Sequence, residues 1–187
     1  MKKSSFFLGA FLATTLLTCN AYALLVDVTT EPTDTGTHID FFGTTLLGSF
    51  NSPDIQFLTN FADKWYPFGM IGFGADITGA INVAATGTYL FTLNSDDGSY
   101  LFIDGNLVVN DGNNHFPQVV SNSVLLTAGV HSLEVQFHED GTIFSGVDLN
   151  LSSGVTYVSS SVPEGGTTLL LAIGAFGLLC VRKMVRV

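Results

Sequence analysis

The chain has 187 residues and a formal net charge of −10, and its six basic residues are Lys2, Lys3, Lys64, Arg182, Lys183 and Arg186. All sixteen acidic residues fall from Asp27 to Glu164 with Lys64 the one base among them, a charge of −15 for that stretch, which repels phosphate backbones and excludes nucleic-acid binding. Both cysteines, Cys19 and Cys180, stand in the apolar ends, so no disulfide framework holds the middle, which must rely on packing with a bound metal as the available supplement.

In chain order, Met1-Lys2-Lys3, the apolar run Phe6 to Leu17 and Ala21-Tyr22-Ala23 give a positive region, a hydrophobic region and a small-x-small cleavage site. Residues 1–23 therefore read as a signal peptide with an N-terminal signal helix, cleaved after Ala23 by signal peptidase. A lipoprotein reading at Leu16-Leu17-Thr18-Cys19 is the alternative, with Thr18 where Ala or Gly is usual. Residues 24–161 form one ectodomain. Its N-terminal third, Leu24 to Gly74, is less regular, with Thr-rich and Asp-rich turns and the aromatic group Phe57, Phe61, Trp65, Tyr66, Phe68 and Phe73. Those rings read as core, and if exposed they would stack on sugars.

Further on, short β-branched and aromatic runs alternate with Gly, Asp and Asn, the pattern of an all-β fold and specifically of an antiparallel β-sandwich. The expected strands are Ala75–Val83, Thr88–Leu93, Tyr100–Ile103, Leu107–Val109, Ser121–Leu126, Val130–His138 and Ser145–Leu151. Asp104-Gly105 accepts positive φ at both central turn positions and predicts a tight hairpin. Alternation along Leu133 to Phe137 sends one face inward, and the core is expected to include Tyr89, Phe91, Leu101, Ile103, Val135 and Phe137. At the end, Thr167 to Val181 is about fifteen uncharged residues, an apolar helix followed by Arg182, Lys183 and Arg186, which stop transfer and stay cytoplasmic. That is short for a permanent span of about 20 residues.

Two resemblances follow from these residues. Val162-Pro163-Glu164-Gly165-Gly166 ahead of the apolar run and basic terminus makes residues 162–187 resemble the PEP-CTERM sorting signal. That implies processing by an exosortase in bacteria that build an exopolysaccharide matrix, with membrane attachment only before cleavage. Gly165 stands where the common form has a second Pro, and an ordinary single-pass tail anchor is the alternative. The segment Gly87 to Gly105, with Leu107-Val108-Val109, His115, Leu125 to His131 and Val135 to Glu139 in order, resembles the PA14 domain, named for a fragment of a toxin's protective antigen. The resemblance covers about residues 65–151 and implies a β-sandwich found in adhesins, glycosidases, toxins and signalling ectodomains, often as a carbohydrate-binding module.

In the sugar-binding adhesins of that family two consecutive aspartates, joined by a cis peptide, hold a Ca²⁺ that coordinates sugar hydroxyls. Asp96 and Asp97 match the pair, and Ca²⁺ takes six to eight oxygen ligands. The adhesins add an Asn from a late loop. Here that loop is Glu139-Asp140-Gly141-Thr142, so Glu139 or Asp140 is the expected substitute, and His115 joins Asp96 and Asp97 as a candidate ligand-binding residue. The competing reading of Asp96-Asp97-Gly98 is a turn whose aspartates bond their own backbone.

No catalytic set can be assigned: there is no G-x-S-x-G, no H-E-x-x-H and no cysteine in the middle. His38, His115, His131 and His138 lack metal-motif spacing, and Asp-Gly turns account for Asp104 and Asp111 without a glycosidase pair. The sequence thus points to an exported, non-catalytic module that binds a glycan or exopolysaccharide at the cell surface, with a structural matrix protein, or an accessory module of a glycan-processing enzyme, as alternatives.

Overall fold

The computed structural model describes residues 23–58, 72–141 and 145–159, and these hold strands and turns with no helix. The expected signal helix and C-terminal apolar helix lie outside the described residues. The strands are β1 Leu24–Thr30, β2 Thr33–Asp34, β3 Ile39–Asp40, β4 Leu46–Ser52, β5 Phe73–Val83 and β6 Gly87–Asp96. Then come β7 Ser99–Ile103, β8 Asn106–Asp111, β9 Gln118–Leu126, β10 Gly129–Glu139, β11 Gly146–Leu151 and β12 Val155–Tyr157.

They pair as a large antiparallel sheet, order β4-β1-β5-β10-β7-β8, a small sheet β11-β6-β9, and a β2–β3 ribbon. The long β5 carries β1 along Phe73 to Gly79 and β12 along Ile81 to Val83 on one edge, with β10 on the other. After β4 the chain crosses to the small sheet, where Leu149 donates to the Ile55 carbonyl and Phe57 to the Val147 carbonyl, both at 2.9 Å.

The period-2 alternation places the core. Leu133, Val135 and Phe137 of β10 stand opposite Gly79, Ile77 and Ala75 of β5 and face Phe91, Leu93, Val147 and Leu149 of the small sheet in one apolar cluster. Each such aliphatic or Phe side chain contributes about 1.5–3 kcal/mol by leaving water. Of the expected core, Phe91, Leu101, Ile103, Val135 and Phe137 are buried, while Tyr89 is half-buried against the cluster and donates its hydroxyl to the Ala85 carbonyl at 2.5 Å. Phe57 and Phe73 are core, and Phe73 packs edge-on against Phe137 at 5.8 Å. Phe61, Trp65, Tyr66 and Phe68 lie outside the described residues.

The strands expected from Ala75 to Leu151 are all present: β5, β7 and β10 are a residue or two longer than expected, β6, β8 and β9 three or four, and β11 starts one residue later, at Gly146. The described part of the N-terminal third, residues 24–58 and 72–74, is more regular than its composition suggests. In β1 the inward Val26 and Val28 alternate with Leu25 and Asp27, and β4 is an edge strand whose Leu46 and Leu47 remain exposed, so its ladder to β1, not its pattern, defines it. Asp104 and Gly105 have φ of 51° and 74° between the paired Ile103 and Asn106, the two-residue hairpin anticipated there.

Candidate functional site

The site is built where β6 ends and β7 begins, beside the end of β10. Asp96 closes β6, Asp97 and Gly98 make the turn, and the Asp96–Asp97 peptide is cis. One carboxylate oxygen from each of Asp96, Asp97 and Glu139 lies within 4.8 Å of the other two, and all three residues are buried. Glu139 arrives because it shares the inward parity of Val135 and Phe137 at the last position of β10.

The three carboxylates differ in their bonds. Asp97 Oδ1 accepts the His115 N–H at 2.9 Å, and its Oδ2 accepts the Asp140 N–H at 3.0 Å, so one side chain ties the 112–117 loop to the loop after β10. Glu139 Oε1 accepts the Gly141 N–H at 2.9 Å. Asp96 Oδ2 is buried with no hydrogen-bond partner among the described residues. Burial, then the neighbouring Asp97 charge, pushes the Asp96 carboxyl above its ordinary value, and His115 offsets this in part.

Of the expected site residues, the fold gathers Asp96, Asp97 and Glu139. Asp140 contributes its backbone N–H to Asp97, while its exposed carboxylate accepts a hydrogen bond from Asn114 Nδ2 and pushes the neighbouring Glu31 carboxyl above its ordinary value. His115 likewise contributes its N–H. Its ring turns away, with Nε2 3.1 Å from the Asp111 carbonyl and Nδ1 2.9 Å from the Phe116 carbonyl.

Beneath the pair lies a buried polar network that sequence reasoning missed. Asp111 Oδ2 accepts the Ser95 hydroxyl at 2.9 Å and Oδ1 accepts Gln118 Nε2 at 2.6 Å, while Ser95 and Ser99 share a 2.8 Å bond. The available sign was Asp111 on the same side of β8 as the inward Val109, masked by the Asp-Gly turn that follows it.

Chemically, three buried carboxylates converging with no Lys or Arg among the described residues to neutralise them are costly, and an orphaned lone pair on Asp96 adds to that cost. All donors are hard oxygens with no His or Cys among them, so the set fits Ca²⁺ or another hard divalent cation rather than zinc or copper.

A search among curated proteins found no match. The fold resembles an anti-sigma factor domain-containing protein (TM-score 0.57, 19% identity), covering 82% of this chain and 49% of that one, so this chain spans about half its length. It also resembles a β-glucosidase from Kluyveromyces marxianus (TM-score 0.53, 12% identity), over 76% of this chain and 19% of the enzyme. A third similar structure is the epithelial adhesin 9 A domain of Candida glabrata in complex with Galβ1-4GlcNAc (TM-score 0.50, 14% identity), over 77% of this chain and 89% of the adhesin. At these identities the likeness is one of fold. The PA14 domain family model matches residues 32–163, most of the chain and every strand but β1, and by that match the protein is a member of the PA14 domain family.

Proposed function

We propose that this protein is a non-catalytic carbohydrate-binding or adhesion module, exported to the bacterial cell surface or matrix, that holds Ca²⁺ between Asp96, Asp97 and Glu139 and recognises a glycan there. The observation that carries this reading is the convergence of three buried carboxylates, one with an unpartnered oxygen, at a loop-rich end of the domain. When bound, Ca²⁺ supplies coordination positions that vicinal sugar hydroxyls can fill. The chain's own residues do the rest: Asp97 braces the two loops, and Phe116 on the first of them is 83% exposed and offers an apolar ring face to a sugar.

A similar fold is found in an adhesin domain bound to a disaccharide, which favours the glycan reading. The similar fold within a β-glucosidase favours, as a second reading, an accessory module for glycan processing. Export rests on the Ala21-Tyr22-Ala23 cleavage pattern, and retention or release at the surface on exosortase-type processing of residues 162–187.

Two measurements test the proposal. Calcium at a hundredfold excess over Kd stabilises a protein that binds it only when folded by about 2.7 kcal/mol, which reads as a rise of several degrees in melting temperature. Glycan-array binding should appear with calcium and vanish with chelator. A melting temperature indifferent to calcium, together with an array blank under both conditions, would leave a structural matrix protein as the better account.

A further inference from the structure

The 112–117 loop, whose His115 N–H sits on Asp97, is gripped from both faces of the large sheet. Ser99 and Tyr100 are consecutive in β7, so their side chains point to opposite faces. Ser99 joins the inner network around Asp111, where Asp111 Oδ1 lies 3.4 Å from His115 Nε2. Tyr100 faces outward, and there it meets Asp34.

Asp34 ends β2 in the β2–β3 ribbon, well before the landmarks that mark the domain in sequence. Its Oδ1 accepts the Tyr100 hydroxyl at 2.6 Å and the Gly36 N–H at 2.7 Å. Its Oδ2 accepts the Asn113 N–H at 2.7 Å and lies 3.3 Å from His138 Nε2. Partial burial pushes this carboxyl up, but the bonds from Tyr100, Gly36 and Asn113 prevail and hold it below its ordinary value, so it is ionised at neutral pH. The ribbon is itself anchored: Asn110 Nδ2 donates to the Gly36 carbonyl at 3.1 Å, and the Ile39 N–H donates to Gln136 Oε1 at 2.7 Å.

We propose that Asp34 and Asp111 are positioning residues of the cation site: they hold the 112–117 loop at Asn113 and at His115, so that the His115 N–H fixes the orientation of the Asp97 carboxylate. This rests on the reading of Asp96, Asp97 and Glu139 as a cation site. Its physical basis at Asn113 is that a charged acceptor binds a backbone N–H about twice as strongly as a neutral one, while at His115 the ring Nε2 lies 3.4 Å from the Asp111 carboxylate and 3.1 Å from the Asp111 carbonyl. A ligand carboxylate held this way meets the ion without first having to be ordered. Outer groups of this kind typically set metal affinity by about 10–100-fold.

The test uses the full chain and the variants Asp34→Asn and Asp111→Asn, which keep shape but replace one acceptor oxygen with an N–H₂ that faces donors. Calcium affinity is measured by titration calorimetry, and amide hydrogen exchange is measured in chelator. The expected result is calcium affinity about 10–100-fold weaker, with faster exchange at the His115 amide while the Asp140 amide, the other donor to Asp97, keeps its protection. A purely structural role would lower the melting temperature without singling out His115. Should Asp111→Asn fail to fold, Asp34→Asn, at a partly exposed site, decides. If the unmutated chain binds no calcium, the functional reading falls and this inference with it. If the unmutated chain binds and the folded variants bind within about twofold of it, the inference alone is overturned.

Discussion

Asp96 and Asp97 are adjacent, yet their bonding assigns them different work. Asp97 accepts two backbone N–H groups from two loops, whereas Asp96 carries a buried oxygen without a partner. Asp97→Asn should therefore lower stability even without calcium, by about 1–3 kcal/mol, because one N–H donor loses its buried acceptor. Asp96→Asn should leave the calcium-free melting temperature unchanged or raise it, since it removes a desolvated charge, while abolishing the calcium response. Thermal melts of both variants with chelator and with calcium check this, and equal behaviour of the two would refute the division of roles. A second carboxylate outside the site sets a pH dependence. Burial, then Glu134 and Asp27 across the neighbouring strands, pushes Asp76 up to about 6 from 3.8. A folded pKa raised above the unfolded one means that its stabilisation is complete below about 4 and is lost as pH rises through about 6. Asp76→Asn should accordingly raise the melting temperature at pH 7.5 and flatten the profile between pH 4 and 6, read by differential scanning calorimetry across pH.

Among the elements, the β7–β8 hairpin is locked to β10 by its own turn residue. Asp104 Oδ1 accepts the Ser132 N–H at 3.0 Å, and Oδ2 lies 2.6 Å from His131 Nδ1, while His131 Nε2 lies 2.9 Å from the Thr127 carbonyl. Both ring nitrogens thus face acceptors, which favours the doubly protonated ring. The Asp104 hydrogen bond, then that of Thr127, raises the His131 pKa, and the His131 bond foremost lowers that of Asp104. His131 contributes fully below its ordinary 6.5 and loses that contribution as pH rises through its raised folded value. Asp104 contributes above its ordinary 3.8 and loses that contribution as pH falls through its lowered folded value. The lock is therefore closed in mildly acidic solution and opens on the alkaline side. His131→Gln should remove the alkaline part of the melting-temperature decline and shrink the acid limb to what the Ser132 bonds to Asp104 sustain. An unchanged alkaline limb in that variant would show that the pair is not the titrating lock.

At the scale of the whole molecule, charge is distributed unevenly between the two faces. The small sheet carries two carboxylates, Asp96 and Asp148, both buried, while the large sheet places Asp27, Asp76 and Glu134 on strands β1, β5 and β10. With −15 spread from Asp27 to Glu164, self-repulsion opposes the compact state, and salt screens it over a Debye length of about 10 Å at 0.1 M. Raising sodium chloride from about 0.01 to 0.5 M should thus increase the melting temperature in chelator. A fall would mean that ion pairs, not repulsion, dominate the electrostatics. The same screening should weaken calcium binding, so the two salt effects oppose one another and can be separated by working with and without the ion.

The all-β class, the strands from β5 to β11, the Asp104-Gly105 hairpin and the inward set Phe91, Leu101, Ile103, Val135 and Phe137 were readable before any fold was known. These follow from residues within a few positions of one another: alternation, β-branched content and a dipeptide that tolerates positive φ. The aspartate pair was legible through the resemblance to the PA14 adhesins, whose two consecutive aspartates Asp96 and Asp97 match; the local pattern alone reads equally as a turn. Which partners reach that pair depends instead on strand pairing across the fold. Glu139 and Asp140 are indistinguishable as neighbouring acids until the register of β10 against β5, which sets Glu139 opposite Phe73, turns the first inward and leaves the second in solvent. Asp111 read as a turn residue until β8 paired with β7 and placed it opposite Ser99. Asp34, with β1 and β4, lay in a stretch of weak periodicity, and its role exists only because the ribbon folds back over Tyr100 and Asn113. Those contacts join residues more than sixty positions apart, and strand pairing over such distances is fixed by the sum of many side-chain and backbone contacts that no local pattern encodes.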